Sequence, residues 1–197
     1  YASCLNSRPV VYLTFKDCKA SKAEELFAQI KRELYQEYLR YEKILRDTWE
    51  KQSYEEKDFY GMIENLRDFS APAMSFVSAL QDLTRALRNH YQIPPILLID
   101  EYDQPIMSSY EYGYHDEVRD FFSNFYGSAM KGNTALGQAL LTGVQRVAKE
   151  SIFSQFNNPQ VYTVVDFQYA EYFGLSEEET RELLEYYGLS LDAPVKA

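Results

Sequence analysis

The 197-residue sequence has no run of about 18 or more apolar residues, which excludes a transmembrane helix. Cysteine is scarce. Cys4 and Cys18 cannot make a disulfide framework or, alone, a zinc knuckle, and a chain of this length builds a core without staples. A reducing, cytoplasmic setting is the simpler expectation. With 8 Gly and 7 Pro, a collagen-like or linker-dominated chain is excluded. Basic residues are in deficit: 20 Lys and Arg against 30 Asp and Glu leave a formal net charge of -10. Such a surface repels phosphate backbones, so no direct nucleic-acid binding is expected. His90 and His115 are far apart and show no ligand spacing, and no G-x-S-x-G nucleophile elbow occurs. The sequence opens at Tyr1 with no Met and no basic-then-apolar leader pattern, so no signal peptide is expected, and the abrupt start suggests an excised fragment.

What is present fits a globular domain, with 46% apolar and 25% charged residues. Four short apolar runs read as buried strands: Val10 to Phe15, Ile96 to Ile99, Ala139 to Thr142, and Val161 to Val165. The second and third scarcely alternate, as in parallel strands covered on both faces. Helical patterns fill the gaps. Ser21-Lys22-Ala23-Glu24 reads as a capping box ahead of Phe27, Ile30, Leu34, Tyr38, Tyr41 and Leu45, spaced by three and four. Ser53-Tyr54-Glu55-Glu56 repeats the signal before Phe59, Ile63 and Leu66. Ser70, with Pro72 after it, opens a third helix carrying Val77, Leu80, Leu83 and Leu87. Asp116 starts a fourth with Val118, Phe121, Phe122 and Phe125 inward, and Ser176 with Glu179 caps one more. Strands alternating with helices predict an α/β fold with a mostly parallel sheet. The helices between the first two strands are too many for a minimal crossover, so some form an elaboration. Ligands in such folds gather at the carboxyl ends of the strands.

Ile96-Leu97-Leu98-Ile99-Asp100-Glu101 is the sharpest local feature: a buried strand releases two acids together at its carboxyl end. In phosphate chemistry the first acid holds hydrated Mg²⁺ and the second orients or deprotonates water. Alternatively both acids terminate a strand and face solvent. Asp103 adds a third carboxylate, read first as a turn residue before Gln104-Pro105. In Leu141-Thr142-Gly143-Val144-Gln145-Arg146 a strand again ends at a polar residue, and Gly allows a tight exit. Thr142 suits a hydrogen bond to water or a terminal phosphate, and Arg146 suits charge on a transferring phosphoryl group. Read singly, Thr142 is as well a satisfied strand end, Arg146 a surface helix residue and Lys149 a solvated one. Tyr110-Glu111-Tyr112-Gly113-Tyr114 reads as a loop, packed or flexible, with rings that could stack on a base. No G-x-x-x-x-G-K-[ST] occurs, so the sequence supplies no amide nest or lysine for the β- and γ-phosphates.

The strings Ile96 to Ile106 and Leu141 to Asn158, with Arg8 to Phe15 and Tyr172 to Glu179, resemble a bacterial family of AAA-ATPase-like proteins. The resemblance implies a P-loop NTPase fold of the additional-strand type, with helices on both faces and a helical insertion after the first visible strand. Members begin with a Walker A segment, and many end in a restriction-endonuclease-like nuclease domain; neither lies in these residues. It implies one truncated core over residues 1–197, with a helical elaboration at about 21–90 and a C-terminal helical segment from about 176. It further implies Asp100 as the Walker B metal acid, Glu101 as the catalytic acid, Thr142 at the sensor position and Arg146 as a sensor or finger arginine. ATP and Mg²⁺ are the implied ligands, and the first P-loop strand is missing. The expectation is the nucleotide-binding core of an ATPase, a phosphoanhydride hydrolase when intact and inactive as this fragment alone. An interaction module with a vestigial nucleotide site, which would bind another protein, is the alternative. A metal-dependent hydrolase using Asp100, Glu101 and Asp103 directly is a weaker third.

Overall fold

The computed structural model of the protein describes residues 6–47, 49, 53–144, 159–164, 166–169 and 174–190. The chain divides into two compact units, Tyr1–Asn157 and Asn158–Ala197. In the first unit β1 (Val10–Thr14) leads to α1 (Ala23–Arg46), α2 (Tyr54–Arg67), a 3-10 turn (Ala73–Phe76) and α3 (Ala79–Tyr91). Then come β2 (Ile96–Asp100), α4 (Gln104–Tyr112), α5 (His115–Met130) and β3 (Gln138–Leu141).

The strands form one all-parallel sheet in the order β1-β2-β3, with Val10 opposite Ile96 and Ile96 opposite Gln138. Parallel neighbours require crossovers, and the helices supply them. The mixed α/β class and the helical insertion between the first two strands are as the sequence predicts. Helices lie on both sides of the sheet, but their cover is unequal. Val11, Leu13, Leu97 and Ile99 are at most 2% exposed on one face, whereas Tyr12 and Leu140 on the other are 46% and 58% exposed. The buried side is an aromatic core. Phe122 of α5 meets Phe15 edge-on at 5.8 Å between ring centroids, and Phe121 meets Phe27 of α1 at 5.1 Å and Phe76 at 4.9 Å. Such pairs add about 0.5–1.5 kcal/mol each beyond the area they bury.

The outer edge of β1 is closed by side chains of α1. Ile96 N–H donates to the Pro9 carbonyl and Phe15 N–H to the Asp100 carbonyl. Alternation then turns the backbone groups of Val10 and Tyr12 away from β2. Tyr12 N–H donates to Glu37 Oε1 at 2.9 Å, and the Val10 carbonyl accepts from Tyr41 Oη at 2.7 Å and from the Arg40 guanidinium. An edge strand left open is a template for another chain, and here two of its outward polar groups are bonded within the chain. Burial raises the Glu37 carboxyl pKa, against the lowering effects of the Tyr12 amide and Arg40. A second buried charge ties the elaboration together. Lys31 of α1 is 1% exposed, and its Nζ donates to the carbonyls of Asp68 (2.6 Å) and Ala71 (2.8 Å) beyond the end of α2.

Several local expectations are corrected. Ser21 does not cap α1; Lys22 holds that position without a side-chain cap. Ser70 does not open a helix. Its amide and hydroxyl both donate to Asp68 Oδ1, and a 3-10 turn precedes α3. The segment Tyr110 to Gly113 is not a loop, since Tyr110 to Tyr112 form the last turn of α4 and Gly113 its left-handed cap. Ser53 caps α2 as predicted, accepting from Glu56 N–H at 3.2 Å.

In the second unit α6 (Glu177–Tyr186) starts with the predicted capping box, Ser176 Oγ accepting from Glu179 N–H while Glu179 reaches back to Ser176 N–H. The predicted fourth strand does not form: Val161 to Val164 lie outside regular structure, and Val165 lies outside the described residues. Thr163 instead donates its amide and hydroxyl to Asp166 Oδ2, a local bond that replaces sheet pairing there.

Glu37→Ala should cost about 1–3 kcal/mol, because it strands the Tyr12 amide. Glu37→Gln keeps an acceptor for the amide. The native carboxyl pKa lies above its unfolded value, so the contribution of Glu37 is full at low pH and is lost as pH rises through the native pKa. Glu37→Gln should therefore gain on the wild type between about pH 4 and pH 7, read by urea denaturation at each pH.

Candidate functional site

The carboxyl ends of the three parallel strands bring Thr14, Asp100 and Thr142 into neighbouring positions. Thr14 stands opposite Asp100 in the register of β1 and β2. On the other side Thr142 Oγ1 donates to Asp100 Oδ1 at 2.5 Å. The Glu101 amide donates to the same oxygen at 3.0 Å. Among the described residues both hydrogen bonds to this carboxylate go to Oδ1.

The backbone fixes this pair from both strands. Thr142 N–H donates to the Ile99 carbonyl at 2.9 Å, and the Thr142 carbonyl accepts from Tyr102 N–H at 3.1 Å. Between these bonds Glu101 adopts a left-handed backbone, with φ 52°. A side chain in that region costs about 1–2 kcal/mol, and it persists only where neighbours over-determine it. Here the neighbouring amides of Glu101 and Tyr102 are both engaged, and the Glu101 carbonyl accepts from Gln104 N–H at 3.1 Å. The chain thus turns sharply at Glu101 as it leaves β2, and Glu101 stays partly exposed. Nothing in the sequence announces this turn, because a glutamate gives no signal for positive φ.

Asp103, the residue before α4, is 4% exposed. It lies against the exit of β3. A Cβ added to Gly143 would meet Asp103 Oδ1 at 2.5 Å and Tyr102 Cε1 at 2.8 Å. Glycine is required here by close approach. The sequence reading of Gly143 as a tight exit holds with that physical cause.

Arg146 and Lys149 lie outside the described residues. The remaining candidates are engaged elsewhere. The Tyr110 ring stacks on His115 at 3.6 Å. His115 Nδ1 lies 3.3 Å from Ser109 Oγ, but that hydroxyl donates to the Ile106 carbonyl at 2.6 Å, so it faces the imidazole as an acceptor rather than a nucleophile. Burial, aided by Arg119, lowers the His115 pKa. Cys18 is buried, and burial pushes its thiol up to about 12, against thiolate chemistry. Among the described residues no three His, Cys, Asp or Glu side chains are placed to cage a metal. A cleft of about 250 Å³, lined by Tyr54, Asp58, Asp82 and Arg85 among others, lies between α2 and α3 rather than at the strand ends.

Gly143→Ala should push the β3 exit off Asp103 and Tyr102. A destabilisation of about 1–3 kcal/mol is expected by chemical denaturation, and an unchanged midpoint would contradict the close approach.

These features sit in a recognisable context. A family model described as "Predicted AAA-ATPase" matches residues 2–153. A protein of Azotobacter chroococcum mcd 1, named "Uncharacterized protein in vnfD 5'region", is 32% identical over 85 residues. The match takes in 43% of this chain and 16% of that protein, so the chain spans under a fifth of the length of this curated relative. No solved structure matches significantly. No helix among the described residues is long and apolar enough to cross a membrane. With its β1 and β2 and the approach to the Thr142 exit all inside the matched segment, the chain belongs to the AAA-ATPase-like family.

Proposed function

We propose that this chain carries the metal- and water-handling part of an ATP-hydrolysing site, set in a cytoplasmic protein. The observation that supports the reading most is the Thr142–Asp100 hydrogen bond. It joins the two residue types that the sequence marks separately, at the ends of adjacent parallel strands.

The donors suit hydrated magnesium. Asp100 offers a hard carboxylate oxygen, and among the described residues no cage of three such ligands forms, which suits a cation that keeps most of its waters. Bound there with ATP, magnesium would neutralise charge on the β- and γ-phosphates. Asp100 would hold the hydrated cation, and Thr142 and the Glu101 amide fix its Oδ1 and with it the carboxylate plane. Glu101, partly exposed at the turn out of β2, is the general base: its carboxylate accepts the proton of the attacking water. Thr142 is the sensor position, and Arg146 supplies positive charge to the transferring phosphoryl group.

The phosphate-cradling loop is absent from the 197 residues. Among the described residues no strand pairs with β3 on its outer side, which agrees with a further strand and helix completing the sheet. Thr142 N–H points to β2, so alternation turns the backbone groups of Ala139 and Leu141 outward, and the face bearing Tyr12 and Leu140 is half uncovered. The segment alone is therefore expected to be inactive.

In the full-length protein Glu101→Gln should lower ATP turnover by about 10²–10⁴-fold and leave nucleotide affinity near that of the wild type. Steady-state phosphate release together with fluorescent-nucleotide binding reads both. Wild-type turnover in this variant would end the proposal.

A further inference from the structure

We propose that Thr14 is a further positioning residue of this site, on the β1 side of Asp100. The inference rests on the reading of Asp100 given above and extends it to a residue that no strand-end motif marks.

Register and burial carry the argument. Val11 and Leu13 face the buried side of the sheet, as do Leu97 and Ile99. Side chains alternate along a strand, so Thr14 and Asp100 both take the opposite face. Thr14 pairs with Asp100 in register, and directly opposed residues on one face have Cβ atoms about 5 Å apart. Thr142 approaches Asp100 from β3 on the other side. One row thus runs hydroxyl, carboxylate, hydroxyl across the three strand ends.

The row is asymmetric in its bonding. Oδ1 of Asp100 is taken by Thr142 and by the Glu101 amide, both at the β3 side of β2. Among the described residues no hydrogen bond is formed to the second carboxylate oxygen, and Thr14 is the residue opposite Asp100 on the β1 side. Thr14 Oγ1 accepts from Lys16 N–H at 3.4 Å, a bond that orients the hydroxyl and leaves its own proton to donate. Thr14 is partly exposed, so water reaches it. A hydroxyl in this place can bond both the open carboxylate oxygen and a water of a divalent cation's shell. It holds that shell in register with the sheet without binding the cation itself. Substrate class and metal are those of the reading above; what is added is the group that sets the shell's position on the β1 side.

The test is Mn²⁺ binding to the full-length protein in the presence of ATP, read by electron paramagnetic resonance as loss of the free-ion signal. Thr14→Val keeps shape and strand propensity and removes the hydroxyl; Thr14→Ser restores it. Loss of one hydrogen bond should weaken Mn²⁺ binding about two- to tenfold in Thr14→Val, and Thr14→Ser should stay near the wild type. Asp100→Asn, measured alongside, should weaken it further. If Asp100→Asn loses binding and Thr14→Val does not, Thr14 has no such role and the reading of Asp100 stands. If Asp100→Asn binds as the wild type does, the reading of the site fails and the role of Thr14 with it. Thermal melts followed by circular dichroism check folding, and should Thr14→Val melt early, Thr14→Ala serves the same comparison.

Discussion

The hydrogen bond from Thr142 to Asp100 is the interaction on which the site depends. A carboxylate at the end of a strand is ordinarily free to rotate into water. Here one oxygen is held by a hydroxyl from the next strand at 2.5 Å and by a backbone amide at 3.0 Å. Charge-assisted bonds of this kind are roughly twice as strong as neutral ones and fix a plane as well as a position. The bond in turn requires that β2 and β3 run parallel and in register, since a one-residue slip would put Thr142 on the opposite face. Fold and chemistry meet at this one contact.

The rest of the first unit serves to hold that register. β2 is the central strand, and its Leu97 and Ile99 anchor the buried face. The aromatic core from α5 clamps the segment just beyond β1 through Phe15, next to the site. On the far edge, Glu37, Arg40 and Tyr41 bond the Tyr12 amide and the Val10 carbonyl of β1. Among the described residues the opposite edge, along β3, pairs with no further strand.

Much of this was legible in the sequence because the strongest signals are local and apolar. Ile96 to Ile99 ends at Asp100 and Leu140-Leu141 ends at Thr142, polar residues at the carboxyl ends of parallel strands, although β3 is largely exposed rather than buried as its apolar run predicts. The inward stripe of α1 from Phe27 to Leu45 is buried throughout. The failures share a cause: short polar segments have competing local bonds. Ser70 had a better partner in Asp68 than in a helix, and Thr163 had one in Asp166. Run length also misled at Val161 to Val164, where apolar, β-branched residues remain exposed and form no strand. The left-handed turn at Glu101 and the register that places Thr14 beside Asp100 are tertiary facts, invisible until the strands are paired.

The central claim is that Asp100, held by Thr142, faces a metal-bound nucleotide. It is tested most directly by anomalous diffraction from crystals of the full-length protein with Mn²⁺ and a non-hydrolysable ATP analogue. The account predicts a manganese peak one water molecule away from Asp100 Oδ2, with the Thr142–Asp100 bond intact. A peak seated on other carboxylates, or an Asp100 turned away from Thr142 while nucleotide is bound, would contradict it.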